Sequence, residues 1–305
     1  MYEWVSNLHR VYQQRVVGQT KLPGKTLSVG NITWGGTGKT QFVQWLLQMQ
    51  PVTTAVLSRG YKGGDEARFY WNKGLVCGMG KNRVLAAREV LRNNPGITHW
   101  VLDDGFQHWK VERDLDVIMI DCLQPFGTTG RMIPFGSLRE RPEVGLKRAS
   151  LIVLHNANLV HNARELKTTM AQFTPVPIIF SESEPRTIQQ QQQHCNKLEV
   201  AFAGIGNNEA FFKLLQRDKD RLGELHCVSF PDHHDFSPKD IANLVALNAA
   251  RYLTTEKDLA RMPALAGSPL FAQAVEVNWT PMMDMNNGGD WERFHHTIQA
   301  FLKSV

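Results

Sequence analysis

A glycine-rich segment at residues 31–40, Asn-Ile-Thr-Trp-Gly-Gly-Thr-Gly-Lys-Thr, nearly matches the phosphate-binding loop of nucleotide-binding proteins. The strict pattern is Gly, any four residues, then Gly-Lys-Ser/Thr, and Thr33 stands where the first Gly is expected. Gly35 and Gly36 can still supply the unusual φ angles that such a turn needs. A strand candidate at 26–30 precedes the segment and a helix candidate follows it, which is the context in which this motif binds phosphate.

The side chains of this segment indicate how a nucleotide binds. Backbone N–H groups at the start of a helix point toward an anion, and the ammonium of Lys39 adds a positive charge for the terminal phosphates. The hydroxyl of Thr40 can ligate magnesium. We therefore predict nucleotide binding by the loop residues Thr33, Trp34, Gly35, Gly36, Thr37, Gly38, Lys39 and Thr40.

Two adjacent acids, Asp103 and Asp104, end an apolar run and precede a Gly. In phosphate-loop proteins an acid at the end of a neighbouring strand holds magnesium, directly or through water. Asp-Asp-Gly alone is ordinary turn chemistry, but together with the loop it predicts a nucleoside triphosphate and Mg²⁺. Guanine-specific sites usually contain Asn-Lys-x-Asp, and neither Asn-Lys pair of this chain is followed by that Asp. The sequence therefore favours ATP.

Short apolar runs alternate with helical stretches along the chain. The predicted strands before residue 188 are 26–30, 54–60, 99–104, 115–121, 151–156 and 177–183. Those after it are 199–206, 225–231, 251–258 and 274–279. Residues 41–50 and 84–92 are predicted helices. This alternation indicates βαβ units, and hence mainly parallel sheets covered by helices. The predicted fold class is α/β, with a phosphate-loop NTPase-like parallel-sheet domain and a second, smaller α/β domain.

The polar run at residues 188–197 divides the chain. It contains too few apolar residues to bury a core of its own, so it is typical of a linker or an exposed excursion. We predict a phosphate-loop domain at 1–187 that includes an N-terminal helix, a linker at 188–198 and the smaller domain at 199–305.

The charge differs between the two halves. Residues 1–185 carry 22 Lys and Arg against 15 Asp and Glu, a net +7, whereas residues 186–305 carry 12 against 14, a net −2. A basic half suits nucleic acid, an anionic membrane surface or a phosphorylated ligand, and it also suits a merely solvated face. No apolar run approaches the roughly 18 residues of a membrane span. The four cysteines are far apart, which is typical of a reducing cytoplasm.

Eight segments resemble the tetraacyldisaccharide 4'-kinase family, which phosphorylates the lipid A precursor. In chain order they are SVGNITWGGTGKT (28–40), LSRGY (57–61), GDE (64–66), VLDDGFQH (101–108), RMIPFGSLRE (131–140), FAGIGNNEAFF (202–212), FPDHHDF (230–236) and TTEKD (254–258). They span nearly the whole chain. The family's loop also lacks the first Gly, so the resemblance accounts for Thr33.

The resemblance implies a reaction and a site between two domains. The γ-phosphate of ATP moves to the 4'-hydroxyl of an acylated glucosamine disaccharide 1-phosphate. The family's catalytic Asp and His match Asp65 and His233, with His234 as the alternative to His233. A sugar hydroxyl is a poor nucleophile, so a carboxylate within hydrogen-bond reach is expected to accept its proton.

Further candidate contacts to the substrate are Arg59, Tyr61, His108, Asp121 and Glu140. Arg59 and His108 follow strand candidates, on the side of the sheet where ligands bind. Glu140 resembles an active-site acid of the family, but it is also suited to the start of a helix. Asp121 is either a contact or simply the last residue of a strand.

Residues 1–17 place Trp4, Leu8, Val11 and Tyr12 at helical spacing. Such a helix either lies in an anionic membrane surface or packs on its own domain. With a lipid substrate, the first possibility predicts a peripheral protein at the cytoplasmic face of the inner membrane. We predict no nucleic-acid partner and no obligate protein partner. The alternative function is a nucleotide-dependent switch or a metallochaperone-like phosphate-loop NTPase, whose ATP turnover needs no acceptor lipid.

Overall fold

The computed structural model describes residues 12, 16, 18–49, 53–60, 65–185, 198–217, 224–262, 272–286 and 288–304, with only the backbone described at 65–68 and 273. Two compact units divide the chain. The larger unit comprises Met1–Glu182 and Trp279–Val305, and the smaller unit comprises Ser183–Asn278. The predicted linker, apart from Leu198, and most of the predicted N-terminal helix lie outside the described residues.

The strands in chain order are β1 (Lys25–Gly30), β2 (Thr54–Ser58), β3 (Cys77–Met79), β4 (His99–Asp103), β5 (Leu115–Asp121), β6 (Leu151–His155), β7 (Ile178–Pro185), β8 (Glu199–Ala203), β9 (Leu225–Ser229), β10 (Arg251–Thr255), β11 (Ala272–Val275) and β12 (Val277–Pro281). The helices are α1 (Lys39–Met49), α2 (Asp65–Asn72), α3 (Arg83–Asn93), α4 (Pro142–Gly145), α5 (Ala163–Ala171), α6 (Asn208–Gln216), α7 (Pro238–Val245), α8 (Glu256–Arg261) and α9 (Asp290–Lys303).

Eight strands form one sheet in the order β12–β7–β6–β5–β1–β4–β2–β3. The central strand β1 pairs in parallel with β4 and β5, and parallel pairing continues outward from β3 to β7. The carboxyl ends of these strands therefore meet at one edge of the sheet, where α/β proteins bind their ligands. Gly30, Asp103, Asp121 and His155 end four adjacent strands at this edge.

Helices cover both faces of this sheet because its strands are apolar on both sides. In β5, Val117 and Met119 belong to the core cluster that α1 and α9 complete, whereas Ile118 and Ile120 belong to the cluster that α5 completes. The alternation follows from the two-residue period of a strand. A third cluster, around Trp100 of β4, packs on α3.

The smaller unit contains a parallel four-stranded sheet in the order β11–β10–β8–β9. Its helices begin at polar caps that satisfy free backbone N–H groups. Asn207 caps α6, Thr255 caps α8, and Ser237 forms a reciprocal capping box with Asp240 at α7. The prediction of a parallel α/β domain with a second, smaller α/β domain is confirmed.

The division of the chain differs from the sequence-based one at the C-terminus. Residues 279–305 return to the larger unit instead of completing the smaller one. The cause is the apolar stripe of α9, because its Phe294 is fully buried with its ring 6.3 Å from that of Phe42. Residues 274–279, predicted as one strand, divide between β11 and β12.

The short strand β3 was not predicted, since three residues carry little periodicity.

Within the described part of the chain, no helix is both long and apolar enough to cross a membrane.

Candidate functional site

The glycine-rich loop connects the end of β1 to the start of α1 in the larger unit. Gly35 and Gly38 have positive φ angles of 126° and 79°. Gly35 thus supplies an unusual angle as predicted, but the second one is supplied by Gly38 and not by Gly36. A Cβ atom on Gly38 would lie only 2.4 Å from the ring of His155, which ends β6. The loop therefore requires glycine at position 38 for its backbone angle and for space.

Asn31, at the start of the loop, is fully buried and donates from Nδ2 to the Thr37 hydroxyl at 3.2 Å. Its Oδ1 atom has no hydrogen-bond partner among the described residues. A buried acceptor of this kind is normally satisfied by water, an ion or a ligand group. The loop thus offers a bound ligand two kinds of group: the acceptor oxygen of Asn31 and the donor N–H groups of its backbone.

The segment 131–140 packs along the loop. The backbone N–H of Trp34 donates to the carbonyl of Ser137 at 2.7 Å, and Thr33 forms an antiparallel bridge with Leu138. This pairing explains how Thr33 is accommodated where the strict motif has Gly, because its backbone continues an extended structure. The pairing also brings the glycine-rich loop 31–40 and segment 131–140 together, although about a hundred residues separate them in the sequence.

Asp104 is the charged centre of the site. Arg139 donates from Nη1 to Asp104 Oδ1 at 2.8 Å, and Lys39 Nζ lies 3.6 Å from the same oxygen. Burial acts to raise the pKa of Asp104, but the positive charges of Lys39 and Arg139 outweigh it and lower this pKa to about 2. Asp104 is therefore ionised at neutral pH and holds the loop lysine against segment 131–140.

The neighbouring acid, Asp103, is held from another direction. The hydroxyl of Tyr70 in α2 donates to Asp103 Oδ2 at 2.7 Å, and both side chains are buried. Sequence reasoning did not select Tyr70, because a tyrosine in a helix carries no motif of its own. Asp65 is the first residue of the same helix, and its side chain lies outside the described residues, as does all of Tyr61.

A chain of polar contacts continues from Asp104 to Arg148. Arg139 donates to Gln107 Oε1 at 3.1 Å, and Gln107 Nε2 donates to Glu140 Oε1 at 2.8 Å. Glu140 also forms an ion pair with Arg148, whose guanidinium lies 4.2 Å from the centre of the Phe106 ring. Gln107 and Arg139 lie inside quoted motifs, but their roles required the tertiary structure. Glu140 is thus part of this network, and it also directly precedes Arg141, the N-cap residue of α4.

His108 lies in a strongly positive environment. Burial, and then the positive charges of Arg83, Arg113, Lys110 and Arg59, lower the pKa of His108 to about 4. Its Nε2 atom has no hydrogen-bond partner among the described residues. Arg59 is exposed. A neutral imidazole surrounded by cations suits the binding of an anionic ligand.

Asp121 is buried at the end of β5 and accepts a hydrogen bond from Asn156 Nδ2 at 3.0 Å. This bond ties the end of β5 to the turn after β6, so the described contacts of Asp121 support the sheet edge. Nearby, burial lowers the pKa of His155 to about 3, and its Nδ1 lies 3.0 Å from the Ser181 hydroxyl.

In the smaller unit, the two candidate histidines have different surroundings. His234 Nε2 lies 3.1 Å from Asp240 Oδ2, and its ring stacks on Phe230 at 4.8 Å between centroids. His233 has a positive φ of 57°, is 39% exposed, and lies 3.9 Å from Asp232. His234 is therefore committed to packing within its unit, whereas the imidazole of His233 is accessible.

The described residues contain no group of three or more His, Cys, Asp or Glu side chains able to hold a metal ion. Thr40, Asp103 and Asp104 offer only oxygen donors. Magnesium prefers such hard donors and usually keeps waters and phosphate oxygens as its remaining ligands. This donor set therefore fits a nucleotide-bound Mg²⁺ better than a caged transition metal.

Comparisons with known proteins agree with this geometry. The sequence profile of the family described as Tetraacyldisaccharide-1-P 4'-kinase matches residues 1–72 and 62–300. The tetraacyldisaccharide 4'-kinase of Halothermothrix orenii is 32% identical, covering 81% of this chain and 77% of that protein. That of Syntrophus aciditrophicus is 30% identical, with coverages of 96% and 88%. The crystal structure of LpxK from Aquifex aeolicus in complex with ATP superposes with a TM-score of 0.67 at 25% identity, covering 97% and 96%.

The depressed pKa of Asp104 makes its stabilising effect depend on pH. Because the folded-state pKa of about 2 is below the ordinary aspartate pKa of 3.8, the contribution is present above pH 4 and is lost as the pH falls through 2. We expect Asp104→Asn to lower the free energy of unfolding by about 2 kcal/mol at pH 6, and by less at pH 3. Urea unfolding followed by tryptophan fluorescence measures both values.

The matched control is Glu209→Gln, which removes an exposed helix ion pair with Lys213. This variant should change stability by less than about 1 kcal/mol at either pH. An equal loss for Asp104→Asn at pH 6 and pH 3 would contradict the assigned pKa shift.

Proposed function

The chain belongs to the tetraacyldisaccharide 4'-kinase family, and on this premise we propose that it transfers the γ-phosphate of ATP to the 4'-hydroxyl of tetraacyldisaccharide 1-phosphate. The observation that carries the proposal is the cluster of Lys39, Asp104 and Arg139 where the loop and the sheet edge meet. Two fixed cations beside a phosphate loop suit the negative charge that spreads over a transferred phosphoryl group. The family profile and the similar kinases confirm the resemblance seen in the sequence at the level of family and enzyme class.

ATP binds, in this proposal, to the loop Thr33–Thr40 through backbone N–H groups, with Lys39 at the terminal phosphates. Thr40, Asp103 and Asp104 would hold Mg²⁺, which supplies charge neutralisation at the transferred phosphate. Tyr70 supports this role because its hydroxyl fixes one oxygen of Asp103. Because Arg139 also pairs with Asp104, the carboxylate keeps a cationic partner when Lys39 contacts a phosphate.

The acceptor hydroxyl must lose a proton as the new P–O bond forms. We propose that the carboxylate of Asp65 accepts this proton, and that His233 orients the carboxylate or balances its charge. Two observations support the assignment. Asp65 begins the helix that carries Tyr70, so it shares an element with a group that contacts Asp103, one of the proposed magnesium ligands. His233 is accessible, whereas His234 is committed to Asp240 and Phe230.

The acceptor dependence of ATP turnover tests the proposed reaction. Transfer of radiolabelled γ-phosphate to tetraacyldisaccharide 1-phosphate in detergent micelles should be lost by at least about 10²-fold in Lys39→Ala, because a charge on the transferred phosphate disappears. Lys25→Ala, which removes a surface ion pair with Asp114, is the control and should transfer normally. Phosphate release that does not need the lipid would favour the switch-like NTPase instead.

The catalytic pair has its own kinetic signature. Asp65→Asn should lower kcat by about 10²–10⁴-fold with little change in KM for ATP, since the carboxylate does not bind the nucleotide. His233→Ala should also lower kcat, and the double variant should be far less than multiplicatively worse because the pair acts as a unit. Steady-state kinetics of the three variants measure this. Near-normal kcat in Asp65→Asn would move the search for the base to Asp104, Asp121 and Glu140.

We also propose that the kinase works at an anionic membrane surface, the cytoplasmic face of the inner membrane. A lipid acceptor, the basic N-terminal half and the exposed side chains of Tyr12 and Val16 support this location. Deletion of residues 2–17 should reduce sedimentation with phosphatidylglycerol vesicles more than it reduces transfer to a solubilised acceptor. Phosphatidylcholine vesicles provide the uncharged control. Unchanged sedimentation of the truncated protein would reject a membrane role for this segment.

A further inference from the structure

Three segments of the smaller unit that lie far apart in the sequence meet at Gly204. These are the residue that follows β8, the turn 231–234 that carries His233, and the short helix α8 with Asp258 and Arg261. We propose that Asp258 and Arg261 are positioning residues that hold the backbone of His233 through the peptide groups of Gly204. The inference rests on the proposed role of His233 and assigns a task to the TTEKD motif, which the reaction itself leaves unused.

The hydrogen bonds of Gly204 connect the two sides. Its N–H donates to Asp258 Oδ1 at 3.2 Å, and its carbonyl accepts from Arg261 Nη2 at 3.0 Å. The same carbonyl accepts the backbone N–H of His233 at 3.0 Å. One peptide carbonyl is therefore shared between the arginine and the histidine, so its direction affects both.

The ion pair of Asp258 and Arg261, which contacts Gly204, is itself buried. Asp258 and Arg261 are 0% and 6% exposed in their side chains, and their oxygen and nitrogen lie 2.6 Å apart. The Thr255 hydroxyl donates to the second carboxylate oxygen of Asp258 at 2.7 Å. A buried ion pair contributes little net stability compared with apolar packing. In this proposal the role of the ion pair is to orient the peptide groups of Gly204.

Steric contact adds to the hydrogen bonds. A Cβ atom on Gly204 would lie 3.0 Å from both His234 Cβ and the Pro231 carbonyl oxygen, so the turn rests directly on this glycine. The turn is anchored on its other side by Asn208, whose Nδ2 donates to the Phe230 carbonyl at 2.7 Å. His233 itself is in the left-handed region, which a residue with a Cβ maintains only when its surroundings impose it.

These contacts predict how the turn responds to change. The methyl group of an alanine at position 204 would lie too close to the turn, so the turn must yield by a few tenths of an ångström. Positioning errors of about 1 Å cost enzymes about 10²-fold in rate, so a smaller displacement is expected to cost about tenfold. The effect should fall on kcat and leave KM for ATP unchanged, since the phosphate loop belongs to the other unit.

The test compares two variants with matched controls. Gly204→Ala pushes on the turn. Arg261→Lys keeps the charge but loses the planar guanidinium, whose Nη2 donates to both Gly204 and Asp258. Gly96→Ala is the control for the first, because no atom lies within 4 Å of its added Cβ. Arg251→Lys is the control for the second, because Arg251 forms an ion pair with Glu199 in the same unit, away from the turn.

Two readouts are measured for each variant: steady-state kinetics and native-state hydrogen exchange of the His233 amide. We expect about tenfold lower kcat and faster exchange in Gly204→Ala, smaller effects of the same kind in Arg261→Lys, and wild-type values in both controls. In a His233→Ala background neither substitution should lower kcat further. A purely structural defect would instead add to the loss in that background.

The outcomes distinguish the positioning role of Asp258 and Arg261 from the catalytic role of His233. Unchanged exchange at His233 in both variants, or a further fall of kcat in the His233→Ala background, would overturn the inference while leaving the proposed reaction in place. Normal kcat in His233→Ala alone would overturn the catalytic assignment on which the inference rests. Circular dichroism of each variant confirms that a lost activity does not come from unfolding.

Discussion

The carboxylate of Asp104 is the charge on which the larger unit's site depends. It lies between Lys39 and Arg139 and so connects three parts of the chain, which are strand β4, the phosphate loop and segment 131–140. Removing one partner from such a buried arrangement leaves uncompensated charge, which is costly. The same carboxylate keeps the loop lysine near the sheet edge before any phosphate is present. A nucleotide then meets cations that are already in place, and little reorganisation is needed during transfer.

The parallel sheet explains why these groups meet at one place. Strands β1, β4, β5 and β6 are neighbours and run in the same direction, so their last residues share an edge. Burial keeps His155 neutral beneath Gly38, and burial together with surrounding cations does the same for His108. The permanent positive charge at this edge thus comes from lysine and arginine, which do not titrate near neutral pH. The protein's own positive charge at this site is therefore expected to vary little with pH near neutrality.

The smaller unit also positions a candidate catalytic residue, His233, but through different interactions. The carboxyl ends of its parallel neighbours β10, β8 and β9 also share an edge. At that edge Gly204, which has no room for a side chain, contacts the turn after β9 and the helix after β10. The larger unit relies on charge, which acts over several ångströms, whereas the smaller unit relies on hydrogen bonds and close packing around Gly204. Close packing transmits small displacements, so the position of His233 is set by residues that never need to touch a substrate.

The sequence by itself determined the features that local pattern controls: the phosphate loop, the acids Asp103 and Asp104, the α/β alternation and the family. Loop and acids were recognisable because their chemistry depends on residue type at fixed spacing. Only the tertiary structure decided that residues 279–305 return to the larger unit and that Tyr70 and Arg148 support the site. Those relations join residues far apart in the chain, and no local pattern encodes them. They arise when apolar faces pack and bring buried polar groups to the partners they require.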